Sequence, residues 1–345
     1  MEDHGDGCRR RTFLRGVLGI PAGLALGTKN SWTHAAAERA GYRLRKALLT
    51  ARAGDTVLVP PGVYGGAEAL EITVPNLTLK AAVALRSVLR VPLEVRGAGV
   101  VLDGLAFLGD GDDDLYLAAA QACRDSLTIA SPGVEVRGCD FGFFPQRAIL
   151  VRPTGLKPYI HDCSFHDNRD GGSDPNTHEA ISLGYDNPSS HTSLRARIIK
   201  NRFWNLDVEG EAISVKTSDN LIQANNLSSS RAGFSNRYGE RNCFSDNVLT
   251  NCRGFAIGGR GTRLLNNRLN GRGAIEIHGG DARPEVTRNG VHPAAVDTYL
   301  DGNSGPLAIG VRYRPLPAVN TRVLRHGGSI RLVNETGTVV SRKKA

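Results

Sequence analysis

Four charged residues near the middle of the chain have types and spacing that could support chemistry. Glu209 and Glu211 stand in Val208-Glu-Gly-Glu-Ala-Ile-Ser-Val-Lys-Thr-Ser-Asp-Asn220, and the same run carries one lysine, Lys216. Arg237 follows 21 residues after Lys216, in Asn236-Arg-Tyr-Gly-Glu-Arg-Asn242. Paired carboxylates suit a calcium site, because hard cations take oxygen ligands. Asn176 offers an amide oxygen some way upstream. Two cations on neighbouring strands repel a little unless an anion binds there. Taken alone, Lys216 and Arg237 read first as a pair of solvated surface charges, and the glutamates can be solvated corner residues. The backbone decides between these readings.

A repeat supplies that backbone. Cys139, Cys163, Asn201, Asn225, Asn247, Asn267 and Asn289 each follow a short β-like run, at spacings of 24, 38, 24, 22, 20 and 22. Two positions after each stands Phe141, Phe165, Phe203, Leu227, Leu249, Leu269 or Val291. Periods of 20–24 with one strand-like run per repeat mean a solenoid. No leucine-rich pattern is present and no segment between markers is long and helical, which leaves an all-β, parallel β-helix. The asparagines can form a hydrogen-bonded ladder at one turn, with the cysteines filling the same slot as small core residues.

A second ladder runs through Ile149, Ile181, Ile213, Phe234, Phe255 and Ile275, which would point inward. Alternation then turns Ser214 and Lys216 outward. Lys216 and Arg237 hold the same place in consecutive coils, about 4.8 Å apart. Glu209 and Glu211 have the wrong parity to share that face in one straight strand. A bend between Glu211 and Ile213 is required, and Gly210 loosens it. Residues 109–131 and 166–178 interrupt the period and read as loops walling one face. Residues 38–53 have helical spacing, with Leu44, Leu48 and Ala51 on one side, and read as a cap.

The bulk numbers suit this picture. A net charge of +9 favours a polyanionic partner. Aromatics at 6% and a single methionine are thin for base stacking and for a helical core, which points away from nucleic acid. Arg9-Arg-Arg-Thr-Phe-Leu-Arg15, the apolar run Gly16 to Gly27 and Ala35-Ala-Ala37 come in the order of a twin-arginine signal peptide, residues 1–37. The run is too short for a membrane anchor. The expected location is periplasmic or extracellular, with residues 38–345 as a single domain. Losing Cys8 leaves five cysteines, an odd number with neither a disulfide framework nor a CxxC zinc pair.

Asn176-x-x-Glu179-x-Ile181-x-x-Gly184, Glu209-Gly-Glu211-x-Ile213-x-x-Lys216-x-Ser218-x-Asn220 and Arg237-x-Gly239, in this order, resemble polysaccharide lyase family 6. The run from Ala53 to Tyr64 resembles that family's opening coil. The resemblance implies a right-handed parallel β-helix that cleaves a uronic-acid polymer, alginate foremost, by β-elimination. It implies Lys216 as Brønsted base, Arg237 as general acid, and Asn176, Glu209 and Glu211 as ligands of Ca²⁺. The physics agrees, since a lysine becomes a base only when neighbouring positive charge lowers its pKa from about 10.4. Glu179, Tyr238, Arg241, Arg260 and His278 are further candidates for substrate contact. The family often carries Arg-His-Gly where this chain has Arg237-Tyr238-Gly239, and Gly-Ile-Arg where it has Gly254-Phe255-Ala256-Ile257. Arg260 and His278 are candidates to compensate. Two other readings stay open on the same fold: a non-catalytic protein that binds an acidic glycan, and a uronate epimerase. A hydrolase would need two acids and leave Lys216 and Arg237 without a role.

Overall fold

The structure, a computed structural model, describes residues 34–66, 68–109, 125–144, 146–168, 178–185, 192–207, 210–281, 292–312 and 315–341. Asn176 and Glu209 therefore lie outside the described residues, as do the twin-arginine segment and most of both interrupting insertions. Among the described residues, short strands stack into three long parallel sheets of twelve, eleven and eleven strands. In each sheet neighbours lie three strands apart along the chain, and four apart at its C-terminal end, which is the connectivity of a parallel β-helix.

The chain folds this way because each coil buries one apolar residue per strand against its counterparts above and below. In the second sheet Phe107, Phe141, Phe165 and Phe203 are in register. Their rings stack at centroid distances of 4.6, 5.0 and 4.8 Å, close to the strand spacing. In the third sheet Ile149, Ile181, Ile213, Phe234, Phe255 and Ile275 are aligned, as the sequence pattern requires.

The asparagine ladder is continuous and buried. Asn201 Nδ2 donates to Asn225 Oδ1 at 3.0 Å, Asn225 to Asn247 at 3.1 Å and Asn247 to Asn267 at 2.9 Å. Each Oδ1 also accepts a backbone N–H from the coil before it. Cys163 opens the ladder, its N–H donating to Asn201 Oδ1 at 3.0 Å. One rung differs from expectation. Asn303 takes the slot assigned to Asn289, accepting from Asn267 Nδ2 at 2.9 Å across 36 residues. The sequence pattern counted a marker inside an insertion, and residues 282–290 lie outside the described set.

The capping helix runs His34–Thr50 and buries Ala37, Leu44 and Leu48 over the first coil. It begins earlier than the spacing predicts and includes Ala35–Ala37. The Ala37 carbonyl accepts the Gly65 N–H at 3.0 Å, so cleavage after Ala37 would remove the first turn of the cap. Among the described residues, no helix is long and apolar enough to cross a membrane.

On the outer face of the second sheet, His166 stacks on Trp204 at 4.6 Å. Its Nε2 lies 3.1 Å from Asp140 and its Nδ1 2.8 Å from Asp167. Burial pulls its pKa down, but the two carboxylates overcome this and raise it to about 9. The unfolded value is about 6.5. This cluster's stabilisation is therefore complete below about pH 6.5 and lost as pH rises through about 9. Stability by urea titration is expected to fall by on the order of 2 kcal/mol between those limits. His166→Gln should remove most of that fall; an equal decline in both proteins would contradict it.

Candidate active site

The third sheet carries the site. Its strand Glu211–Val215 pairs with Ile181–Leu183 on one side and Gly233–Asn236 on the other. Val215 pairs with Asn236, so Lys216 lies beside Arg237 in adjacent coils. The expected bend is present as a β-bulge. Glu211 pairs with Gly233 and Ile213 with Phe234, leaving Ala212 without a partner between them. The extra residue corrects the parity, and Glu211, Ser214 and Arg237 come to one side. The Ser214 hydroxyl donates to Glu211 Oε2, and Glu211 Oε1 lies 4.0 Å from Arg237 Nε.

Gly210 is required at this corner. Its φ is 125°, a region that side chains avoid, and an added Cβ would sit 2.1 Å from Arg253 Nη1. Arg253 donates to the Gly210 carbonyl at 3.3 Å. Gly239 has a different constraint: a Cβ there would lie 1.8 Å from the Thr217 carbonyl oxygen.

Lys216 departs from expectation. It stands on the outer side of the sheet but is only 1% exposed. Its ammonium donates to Glu179 Oε1 at 2.9 Å and faces Ser182 Oγ at 3.4 Å. The cause is the preceding coil, where Glu179 occupies the corner position that Glu211 holds one coil on and draws the cation down along the sheet.

Glu179, itself buried, is one member of a largely buried row of alternating charge. Arg147 Nε donates to Glu179 Oε2 at 3.0 Å and Arg147 Nη1 to Asp125 Oδ1 at 3.3 Å. Asp125, Arg147 and Glu179 each precede an inward residue of the third sheet by two places, so the row follows the coils. Burial pushes Asp125 above the usual carboxylate value despite Arg147. Burial pushes Glu179 the same way, but Lys216 and Arg147 prevail and hold it below. Burial weighs against the Arg147 charge too, and Glu179 and Asp125 outweigh it.

Beneath the pair lies a net of amides. Asn242 Nδ2 donates to the Thr217 carbonyl at 2.9 Å and to Asn236 Oδ1 at 3.1 Å. Asn236 Nδ2 donates to the Gly239 and Gly258 carbonyls at 2.9 and 2.8 Å. Asn220 Nδ2 donates to Thr217 and Asn242. This net holds the two turns after Lys216 and Arg237 at fixed separation.

The other candidates divide. Tyr238 is buried, with the Arg237 guanidinium 5.4 Å from its ring centroid. His278 lies in the Lys216 and Arg237 column two coils on from Arg237, buried and 3.6 Å from Glu276. Burial holds its pKa below the ordinary histidine value, with Arg312 adding to that and Glu276 opposing. Arg241 is bound to Asp219 at 2.7 and 3.1 Å and to Glu240 at 2.8 Å. Arg260 is exposed and faces Asp297 at 3.4 Å. These two are tied to surface carboxylates, with no described contact to Lys216 or Arg237.

The sequence pattern passed over Arg147, Asp125 and His292. Arg147 stands two places before Ile149, as Glu179 and Glu211 stand before theirs, a signal that was present. His292 follows an insertion without period and carried no such signal; its Nε2 lies 3.4 Å from Arg237 Nη2.

No family model matches the chain, and a search of curated proteins found no match. Solved structures do match. An alginate lyase of polysaccharide lyase family 6 in complex with a trisaccharide is 19% identical, covering 88% of this chain and 82% of its own, with a TM-score of 0.67. The alginate lyase AlyF-OU02 is 18% identical over the same shares, with a TM-score of 0.69. A mannuronic-acid-specific family 6 lyase from human gut microbiota is 16% identical over 89% and 86%, with a TM-score of 0.64. The chain therefore has the right-handed parallel β-helix fold of the family 6 lyases.

Proposed function

We propose that this protein is a polysaccharide lyase cleaving a uronic-acid polymer, alginate foremost, by β-elimination. The observation that carries the reading is the stacking of Lys216 and Arg237 in adjacent coils beside Glu211, on the fold of the family 6 alginate lyases. Lys216 Nζ would take the C5 proton of a uronate, the C–H electrons would form a C4–C5 double bond, and the bond from C4 to the glycosidic oxygen would break. Arg237 would supply the proton, or the charge, that the leaving oxygen needs. Lys216 must be neutral to act. The Arg237 charge one strand away favours that form, and Glu179 opposes it. Arg147 occupies the second Glu179 oxygen and so weakens that opposition.

Glu211 offers a hard oxygen ligand at the bulged corner, which fits Ca²⁺, and Glu209 and Asn176 would complete the set. Bound there, the ion would neutralise the substrate carboxylate and acidify its α-proton. The basic chain would draw in the polyanion. We further propose export by the twin-arginine route to the periplasm or beyond.

Purified protein incubated with alginate, pectate and dermatan sulfate is expected to produce the ultraviolet absorbance of an unsaturated uronate with at least one of them. Chelation should slow the rate. No absorbance with any polymer in the presence of Ca²⁺ would remove the lyase reading; epimerised but uncleaved polymer would favour the epimerase.

A further inference from the structure

Asp281 and His292 form the neck of the segment 282–291. The Asp281 N–H donates to the His292 carbonyl at 3.0 Å. The side chains pair as well, with His292 Nδ1 3.1 Å from Asp281 Oδ2. A carboxylate only accepts, so Nδ1 carries the proton and Nε2 presents its lone pair. That lone pair faces Arg237 Nη2 at 3.4 Å, and a guanidinium only donates. The imidazole also stacks on Tyr238, with centroids 6.1 Å apart. Arg237 is thus held on one side by Glu211 and on the other by His292.

We infer that His292, fixed by Asp281, is the positioning residue of Arg237, its Nε2 lone pair holding the guanidinium beside Lys216. This rests on the lyase reading of the site. It also supplies an imidazole to a chain that has Tyr238 where family 6 lyases often carry histidine. The imidazole comes from a neck two coils away instead of from the next residue. The charged and titratable groups around it are Asp281, Arg237, Tyr238 and, further off, Glu211. Burial holds the pKa of His292 below the ordinary histidine value, with Arg237 adding to that and Asp281 opposing. Protonation would replace the acceptor with a donor, set like charge against Arg237 and release the guanidinium. Activity should therefore fall on the acid side as His292 protonates.

Two measurements test this on the full chain. In protein labelled with ¹³C-histidine, the His292 resonance is identified by its loss in His292→Gln. It should titrate below the ordinary histidine value, and Arg237→Met should raise its pKa. An unmoved pKa overturns the pairing, whether or not any polymer is cleaved. With a cleaved polyuronate, His292→Ala should lower kcat roughly 10–100-fold with little change in KM. His292→Gln, which keeps an acceptor, should retain most of kcat and flatten the acid limb of the pH–rate profile. An acid limb identical to that of the unaltered protein overturns the positioning role. A protein inert towards every polyuronate overturns the lyase reading instead, and the titration alone then decides the pairing.

Discussion

Lys216→Arg is expected to abolish cleavage, by roughly 10³-fold or more, while leaving the fold intact. Arginine keeps the positive charge that Glu179 needs and can keep the hydrogen bond that now spans 2.9 Å. It cannot give up a proton near neutral pH, so it cannot act as a base. Lys216→Ala should abolish activity too, but it leaves Glu179 buried with one cation instead of two. Removing one partner of a buried pair costs about 3–5 kcal/mol, so loss of activity there is open to a second explanation. The comparison of the two variants, with melting temperatures, separates chemistry from stability. Full activity in Lys216→Arg would eliminate Lys216 as the base.

Arg147→Met should have the largest effect on stability. Arg147 lies between Asp125 and Glu179 and bonds both. Its loss leaves Asp125 without its described cation and should destabilise the fold by about 3–5 kcal/mol in a denaturant titration. It should also move the chemistry. With Arg147 gone, Glu179 acts on Lys216 alone and favours its charged form. The limb of the pH–rate profile that reports the base should then move to higher pH. A destabilised variant whose limb stays in place would show that Arg147 supports the fold only and does not tune the base.

The architecture was legible because a solenoid repeats its instructions. Each coil writes the same inward residue and the same turn amide, so Phe141 and Phe165, or Asn225, Asn247 and Asn267, announce one another at spacings of 20–24, and Phe203 follows across an insertion. Parity made a bend between Glu211 and Ile213 legible, but not that a bulge at Ala212 supplies it. Legibility stopped where the period stopped. Asn289 matched the marker pattern inside an insertion, while Asn303 completed the ladder. The burial of Lys216 was missed for another reason. Alternation tells which side of a sheet a residue leaves, but not what lies on that side, and here Glu179 does. His292 was beyond reach, because its proximity to Arg237 comes from the closure of an aperiodic neck.

The proposed base and acid belong to different coils, and a single seam between strands separates them. In a solenoid each coil touches only its neighbours, so whole coils can be gained or lost as units. A coil duplicated before Asp125 or beyond His292 would lengthen the molecule and leave Lys216 and Arg237 with the same neighbours. A coil inserted into the seam would part them by one further rise, about 4.8 Å, and leave two intact half-sites unable to act together. The chain from Asp125 to His292 is thus the stretch whose coil count the proposed chemistry fixes, while the solenoid on either side of it is free to grow.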